Sequence, residues 1–598
     1  MCGIIGCVGR DGETLETLVH GLSKLEYRGY DSAGVALAGN GTLDVIKRAG
    51  ELDRLTDALD ERVDIEGSIG IGHTRWSTHG PPTDANAHPH VDCTGSIAVV
   101  HNGIIENYQS LRDELESNGH EFESETDTEV VPHLVEEGIE AGEKAGDAFR
   151  LAIDRLEGSF AIACVVDGTD AVFVARNDSP LVLGPAEGAT YLASDVPAFR
   201  EFTDRVVYLQ DGEFAELSAD GWRVTNESGE VVEKSIETVS WDAEDTGKSG
   251  YDHFMLKEIH EQPRALRQCL RGRVNELESD IELPELSELD LDRVHLVAAG
   301  TSYHAALYGA EMLRAEGVPA QAYFSHEYAS SPPPTEGATV IGVSQSGETA
   351  DTLAATREAR RLGADTLALT NTVGSTMARE CDDVFYIRSG PEIGVAATKT
   401  FAGQQTALNL LAGVATSGSV DRELVSALRD LPSDVQEILD ESVAEAVAEA
   451  YLDADAYFFI GRGLNYPVAL EGALKMKEIS YEHAEGFAAG ELKHGPLALV
   501  TSKTPVFATV IGDDELARKT IGNVKEVEAR DAPVVAVTDG VSDVERYADH
   551  VLEIPETHPR TAAVLANVQL QLVSYYTAAK LGRSIDKPRN LAKSVTVE

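Results

Sequence analysis

The stretch ATVIGVSQSGETADTLAATREARRLGADTLALTN (338–371) decides the fold of the larger part of this chain. An apolar, β-branched run (ATVIGV) breaks into the small and hydroxylated residues SQSGET (344–349), a helical stretch follows, and a second apolar run (DTLALT) closes the unit. Strand, loop, helix and strand in so short a span make the βαβ unit of a parallel sheet. Small residues in the loop let backbone N–H groups approach an anion, hydroxyls add donors, and the helix N-terminus favours negative charge. The loop reads as a phosphate cradle, although an ordinary Ser/Thr helix cap has the same composition.

The pattern repeats. RVHLVAAGTSYHAALYGAEML (293–313) matches AYFFIGRGLNYPVALEGALKM (456–476) in layout, and 338–371 matches TPVFATVIGDDELARKTIGNVKEVEARDAPVVAVTD (504–539), both at an offset of about 160 residues. A tandem duplication of a doubly wound α/β domain follows. In the second copy IGDDEL (511–516) stands where SQSGET stood. Asp513 and Asp514 would repel phosphate, so the first copy is expected to bind it and the second to be released from that role.

The second copy holds other chemistry. In LEGALKMKEISYEH (470–483), Lys475 and Glu478 lie three apart and share a helix face. AGELKHGP (489–496) adds Lys493 and His494 in a Gly-bounded loop. Carboxylate, imidazole and amine together suit acid–base catalysis on a sugar phosphate, although any one alone is ordinarily a surface or core residue. GRGLNY (461–466) lacks the last glycine of a dinucleotide loop.

The first 240 or so residues have a different texture. GSIGIGHTRWSTHG, GSIAVVHNGIIEN, GSFAIACVVDG and DAVFVARNDSPLVLG read as short strands, with helices at about 105–118 and 127–157. Stacked antiparallel sheets with helices outside are expected, followed by a polar linker at 242–250. The chain opens MCGIIGCVGR. If the initiator methionine is removed, the free α-amine of Cys2, with a pKa near 7.7–8.0, can serve as base for its own thiol. On this stretch alone, a small apolar residue leading into a strand is an equally good reading.

Composition bounds the rest. The 598 residues are too many for one core. Six scattered cysteines without a C-x-x-C pair suit a reducing cytoplasm, and neither a disulfide framework nor a structural zinc site is expected from them. There is no secretory signal or membrane-spanning apolar run, so no membrane partner is expected. The net charge of −53, from 49 basic and 102 acidic residues, argues against nucleic acid and points to a salt-rich surrounding that screens self-repulsion.

Together the motifs resemble the glutamine-dependent, isomerising fructose-6-phosphate aminotransferases over nearly the whole chain. MCGIIG, LEYRGYDSAG (25–34), GHTRWSTHG (72–80), HNGIIEN (101–107) and SETDTEV (124–130) are similar to that family's N-terminal-nucleophile glutaminase. SQSGET, EIGVAATKTF (392–401), the segment 469–499 and RNLAKSVTVE (589–598) are similar to its two sugar-isomerase (SIS) domains. The implied fold is an αββα glutaminase domain (1–240), a linker and connecting helix (241–283), SIS domains at 284–424 and 445–585, and a tail (586–598).

The resemblance also implies roles. Cys2 would be the nucleophile, with Asn102 and the N–H of Gly103 as oxyanion hole; Arg75 would hold the glutamine carboxylate and Asp127 its ammonium. Thr78 and His79 would line that pocket, Arg28 support it, and Trp76 gate the path of ammonia. Ser344, Gln345, Ser346 and Thr349, with Ser302 and Val395, would bind fructose 6-phosphate. His494 would open the sugar ring, Lys593 form a Schiff base with the ketose, and Glu478, assisted by Lys475, move the proton between C1 and C2. No metal or cofactor is implied, and a homodimer is. One departure stands out: Ala397 replaces the serine usual in this family, which puts one substrate hydrogen bond in doubt, about 0.5–1.5 kcal/mol.

Overall fold

Alternation along GIIGCV sends Ile4 and Ile5 to opposite faces of the strand Gly3–Val8, each into a different core. The computed structural model describes residues 2–596 except 11, 40, 63–66, 78, 240–247, 276–279, 287, 288, 290 and 416–419. The chain forms two units, Met1–Thr246 with Ala592–Glu598, and Gly247–Leu591.

In the first unit Gly3–Val8 lies inside an eight-stranded sheet, between Ala189–Ala193 and Ile69–Arg75, antiparallel to both. A six-stranded sheet built around Ile97–Ile105 and Gly158–Val166 stacks on it. Ile4, Val8 and Ile71 from one sheet meet Ala98, Val100 and Ala163 from the other in the inner core. Helices cover the outer faces. Leu18 and Leu22 of Thr14–Leu25 and Leu55 of Leu52–Asp60 pack under the larger sheet. Leu111 and Leu115 of Tyr108–Asn118, with Val131 and Val135 of Val130–Glu140, pack over the smaller. The result is the αββα arrangement.

Two helix readings change. The helix anticipated at 127–157 is two, Val130–Glu140 and Ala145–Ile153, because Gly142 turns the chain at φ +98°. Thr14–Leu25 and Leu52–Asp60 were not anticipated. Neither has a side-chain cap hydrogen bond at its start, so the usual start signal is missing, and packing against the sheet holds them.

The second unit contains the duplication. One five-stranded parallel sheet runs Ala320–Phe324, Val294–Ala298, Thr339–Ser344, Asp365–Thr370, Asp383–Tyr386. The other runs Ala484–Ala488, Tyr457–Gly461, Val506–Val510, Val534–Thr538, His550–Glu553. Both have strand order 2-1-3-4-5, and all neighbours are parallel. One continuous core joins the repeats through Lys399–Val414 and Pro559–Lys580, helices buried almost all round. Met255, Ile259, Leu266 and Cys269, on Phe254–His260 and Gln262–Leu270, belong to this core as well. The polar linker reading falls mainly at 240–247, outside the described residues. Among the described residues no helix is long and apolar enough to cross a membrane.

Candidate active sites

In the first unit, Cys2 precedes a central strand, and the neighbouring strand ends at Arg75. Its Sγ is therefore brought to Trp76, whose N–H donates to it at 3.2 Å and whose carbonyl lies 3.4 Å away. Burial pushes the Cys2 thiol up; the Trp76 amide and the Arg75 and Arg28 guanidiniums pull it down. Arg28 holds the backbone rather than the sulfur, its Nε donating to the Cys2 carbonyl at 3.1 Å. Gly29 is needed where this turn passes Arg75, since a Cβ there would sit 2.6 Å from the Arg75 carbonyl carbon.

Arg75 is buried, and its Nη2 donates to the carbonyls of His79 and Gly80. Its Nη1 is buried with no hydrogen-bond partner among the described residues. A buried guanidinium with one nitrogen unused has the chemistry to take a carboxylate. Asp127 is buried and accepts from the Ile105 N–H at 2.8 Å. His79 packs edge-on to Tyr108, and Trp76 to Tyr30. Thr78 lies outside the described residues.

Asn102 is placed beside Cys2, with both Nδ2 hydrogens committed. It donates to the Cys2 carbonyl at 3.0 Å and to Ser194 Oγ at 2.7 Å, and His73 Nε2 meets its Oδ1 at 3.0 Å. An oxyanion would have to displace one of these acceptors. Gly103 has φ +130°, and a Cβ would lie 1.9 Å from the Ser159 carbonyl, so only glycine fits. Motif reading missed Ser194 and the buried histidines. His73, His88, His90 and His101 stand together, with His73 and His88 rings 4.2 Å apart and His88 and His90 rings 4.7 Å apart. Burial lowers all four, His73 to about 3.

In the second unit the 2-1-3-4-5 order puts a switch point between Val294–Ala298 and Thr339–Ser344. Ligands of such sheets bind at the carboxyl ends of those strands. SQSGET and the helix start Gly300–Thr301–Ser302 are both there. The loop is braced from within: Ser344 Oγ accepts from Gly347 N–H at 3.1 Å and lies 2.9 Å from Thr349 Oγ1, while Ser346 Oγ accepts from Glu348 N–H at 3.1 Å. Gly347 has φ +66°, and a Cβ would strike Ser375 Oγ at 2.1 Å. The Gln345 carbonyl accepts from Asn371 N–H at 3.1 Å. Ser302 Oγ accepts from Gln404 at 2.9 Å, and Val395 is buried with Ala397 half-buried nearby in sequence. In the second repeat, Asp539 Oδ2 accepts from Gly512 N–H at 2.9 Å and Asp514 caps its helix through Ala517 N–H at 2.8 Å. The protein's own carboxylates occupy that loop.

A buried charge cluster joins the repeats. Lys475 Nζ lies 2.6 Å from Glu478 Oε2 and 3.3 Å from Glu471 Oε1, and donates to Thr301 Oγ1 at 3.1 Å. His304 Nδ1 meets Glu471 Oε2 at 2.7 Å, and Thr301 Oγ1 donates to Glu471 Oε1 at 3.0 Å. Burial works against the charge on Lys475, but Glu471 and Glu478 outweigh it and raise the amine. Burial likewise pushes Glu471 up, and Lys475 with His304 outweighs it, so the carboxyl stays ionised. Glu471, Thr301 and His304 were missed in the sequence, though 471, 475 and 478 follow the i, i+4, i+7 pattern of one helix face.

Two further residues were expected to take part. His494 is exposed at the end of the 3-10 turn Ala489–His494, with no hydrogen bond to Lys475 or Glu478. Lys593 lies in Ala592–Glu598, which belongs with the first unit.

Comparison with known proteins agrees with both units. Residues 73–201 match the glutamine amidotransferase domain family, and 289–413 and 451–581 each match the SIS domain. The chain is 52% identical to the glutamine–fructose-6-phosphate aminotransferase (isomerizing) of Halobacterium salinarum and 47% identical to that of Thermococcus kodakarensis, covering 100% of both chains in each case. Among solved structures, the C-terminal domain of glucosamine-fructose-6-phosphate aminotransferase from Francisella tularensis covers 57% of this chain and 100% of its own, at 34% identity and a TM-score of 0.53. End-to-end identity of this order, in a chain that matches both domain families, places it in the family of isomerizing glutamine–fructose-6-phosphate aminotransferases.

Proposed function

We propose that this enzyme makes D-glucosamine 6-phosphate and L-glutamate from D-fructose 6-phosphate and L-glutamine. The observation that carries the reading is the full-length match to aminotransferases of this name, by a chain that keeps a half-buried thiol beside a half-used arginine.

The Cys2 thiolate attacks the glutamine side-chain carbonyl, with the substrate carboxylate on Arg75 and its ammonium on Asp127. The tetrahedral oxyanion is stabilised by Asn102 and the Gly103 N–H, and collapses to a thioester as ammonia leaves. Water then releases glutamate. Thr78 and His79 line the pocket, Arg28 fixes the Cys2 backbone, and Trp76 gates the departing ammonia. The α-amine exposed by loss of Met1 is the natural base for that thiol.

In the second half, SQSGET (Ser344, Gln345, Ser346, Thr349) with Ser302 and Val395 binds the phosphate end of the ketose. His494 assists ring opening and Lys593 forms the imine with C2. Ammonia displaces the lysine, and Glu478 takes the C1 proton and returns it to C2, giving the aminoaldose. The water consumed at the thioester is regenerated at the imine, so glutamine plus fructose 6-phosphate gives glutamate plus glucosamine 6-phosphate. Lys475 is held as a cation by two carboxylates; its role is to orient Glu478, and its amine is not the imine-forming one. No metal takes part in these steps, and the active form is a homodimer.

The test is product stoichiometry in molar KCl. Equal yields of glutamate and glucosamine 6-phosphate, with glutamine hydrolysis stimulated by the sugar, are expected. Glutamate without amino sugar would overturn the coupled reaction.

A further inference from the structure

The scattered cysteines pointed away from a zinc site, and the reading changes once the chain is folded. Cys93, His120, His133 and Glu136 each turn one ligand atom to a common point, all four atoms within 4.8 Å of one another. Cys93 Sγ lies 3.5 Å from His120 Nδ1 and 3.6 Å from His133 Nδ1, and Glu136 Oε2 lies 3.0 and 3.2 Å from the same two nitrogens. A tetrahedral zinc, with bonds of about 2.0–2.1 Å to nitrogen and oxygen and about 2.3 Å to sulfur, sets its ligand atoms roughly 3.3–3.6 Å apart. The sulfur-to-nitrogen edges already have that length, and the nitrogen-to-oxygen edges are a few tenths short.

Proton bookkeeping points the same way. Each neutral Nδ1 carries at most one hydrogen, yet each faces both a sulfur and a carboxylate oxygen. Glu136 Oε2 is the acceptor they all share: both rings, the Cys93 backbone N–H at 3.3 Å and the Cys93 thiol converge on that one oxygen. A divalent cation at the centre satisfies all four atoms at once.

The backbone presents these groups from three separate segments. Cys93 sits in a turn that Asp92 shapes by accepting from Ile97 N–H at 2.7 Å and Thr94 N–H at 3.1 Å. His120 follows the left-handed Gly119 that ends the helix Tyr108–Asn118, its N–H capping Leu115 at 3.1 Å. His133 and Glu136 share one face of Val130–Glu140. The His120 Nε2 lies 3.6 Å from Glu137, an outer carboxylate of the kind that orients metal-bound imidazoles. Cys93 is exposed, which leaves an entry path.

We propose that Cys93, His120, His133 and Glu136 bind one zinc-class divalent ion per chain as a closed, structural site. Cys93 binds as thiolate and releases one proton to solvent, both imidazoles bind neutral through Nδ1, and Glu136 binds through Oε2. The ion ties the end of one strand, a helix terminus and the helix that follows SETDTEV, the segment carrying Asp127. It staples the frame of the glutamine pocket and takes no part in the chemistry.

The experiment measures metal content of the full-length protein purified in molar KCl without chelator, then adds Co²⁺ to chelator-treated protein. About one zinc per chain and a thiolate-to-cobalt charge-transfer band are expected, with the band lost in Cys93→Ser and shifted in His120→Asn. Circular dichroism of each variant separates loss of metal from loss of fold, and the wild-type metal count needs no variant. Folded wild-type protein with neither zinc nor a cobalt band overturns the proposal, as does a band that survives Cys93→Ser.

Discussion

Lys475 and Glu478 stand one helical turn apart with Nζ and Oε2 at 2.6 Å, and the same ammonium has Glu471 3.3 Å away on its other side. Lys475 and Glu471 are essentially without solvent. A lone buried charge costs far more than a paired one, so this cluster is stable as a set and fragile one member at a time. Lys475→Met should lower the unfolding free energy by about 3–5 kcal/mol and depress isomerisation, because Glu471 is left buried against a neutral neighbour. Glu471→Gln should be milder, since the amide oxygen keeps an acceptor for Thr301 and the amide nitrogen can donate to a neutral His304 Nδ1. Denaturant unfolding of both variants checks this; equal midpoints for Lys475→Met and the parent would remove the cluster from the account.

The two chemistries should separate by mutation. Cys2→Ser is expected to abolish glutamine-dependent synthesis while sparing conversion of fructose 6-phosphate to its aldose isomer. Lys593→Ala is expected to leave glutamine hydrolysis and to abolish borohydride trapping of fructose 6-phosphate on the protein. Mass spectrometry of the trapped adduct locates the imine. An adduct on Lys475 would contradict its assignment as a doubly paired cation.

The parallel half was legible because its chemistry is local. SQSGET sits between a strand and a helix, and both the phosphate reading and its failure in IGDDEL follow from residues adjacent in sequence. In the second loop Asp514 caps the helix, but the carboxylate on the Gly512 N–H is Asp539, 27 residues further along the chain, and not Asp513. What stayed hidden depends on distant segments meeting. Glu471 lay in a quoted stretch, but its partners Thr301 and His304 are about 170 residues away. Cys93 was set aside on cysteine spacing, and the residues that give it meaning are His120, His133 and Glu136. The helix Thr14–Leu25 was missed because it starts without a cap and is held by Ile5 and the sheet beneath.

Salt should act on the whole chain. With 102 acidic against 49 basic residues, self-repulsion at millimolar ionic strength extends over tens of ångströms, while at about 1 M the Debye length is about 3 Å. The melting temperature is expected to fall steadily as KCl is dialysed from molar to millimolar. Equal melting temperatures at both ends would show that the acidic surface is energetically idle.

Acid should act on the first unit through its buried histidines. His88 Nε2 and His101 Nδ1 both meet Thr128 Oγ1 at 2.9 Å, His90 Nε2 meets Thr126 Oγ1 at 3.0 Å, and none has a carboxylate to support a positive charge at hydrogen-bond distance. Burial lowers each of them, with His73 at about 3. In the unfolded chain a histidine takes its proton near pH 6.5. Between these values the unfolded state binds more protons, so stability is fully present above about pH 6.5 and is lost as pH falls. Each such histidine contributes a slope of about 1.4 kcal/mol per pH unit over its range. Amide exchange in Ile69–Arg75 and Ile97–Ile105, corrected for its intrinsic pH dependence, should therefore show opening that becomes easier from pH 7 to pH 5 in molar KCl. His88→Gln should flatten that slope by about one histidine's worth, since an amide keeps a partner for Thr128 and takes no proton. Exchange that is flat over the range in the parent protein would mean that the folded unit accommodates the imidazolium, and the reading of this cluster as permanently neutral would be wrong.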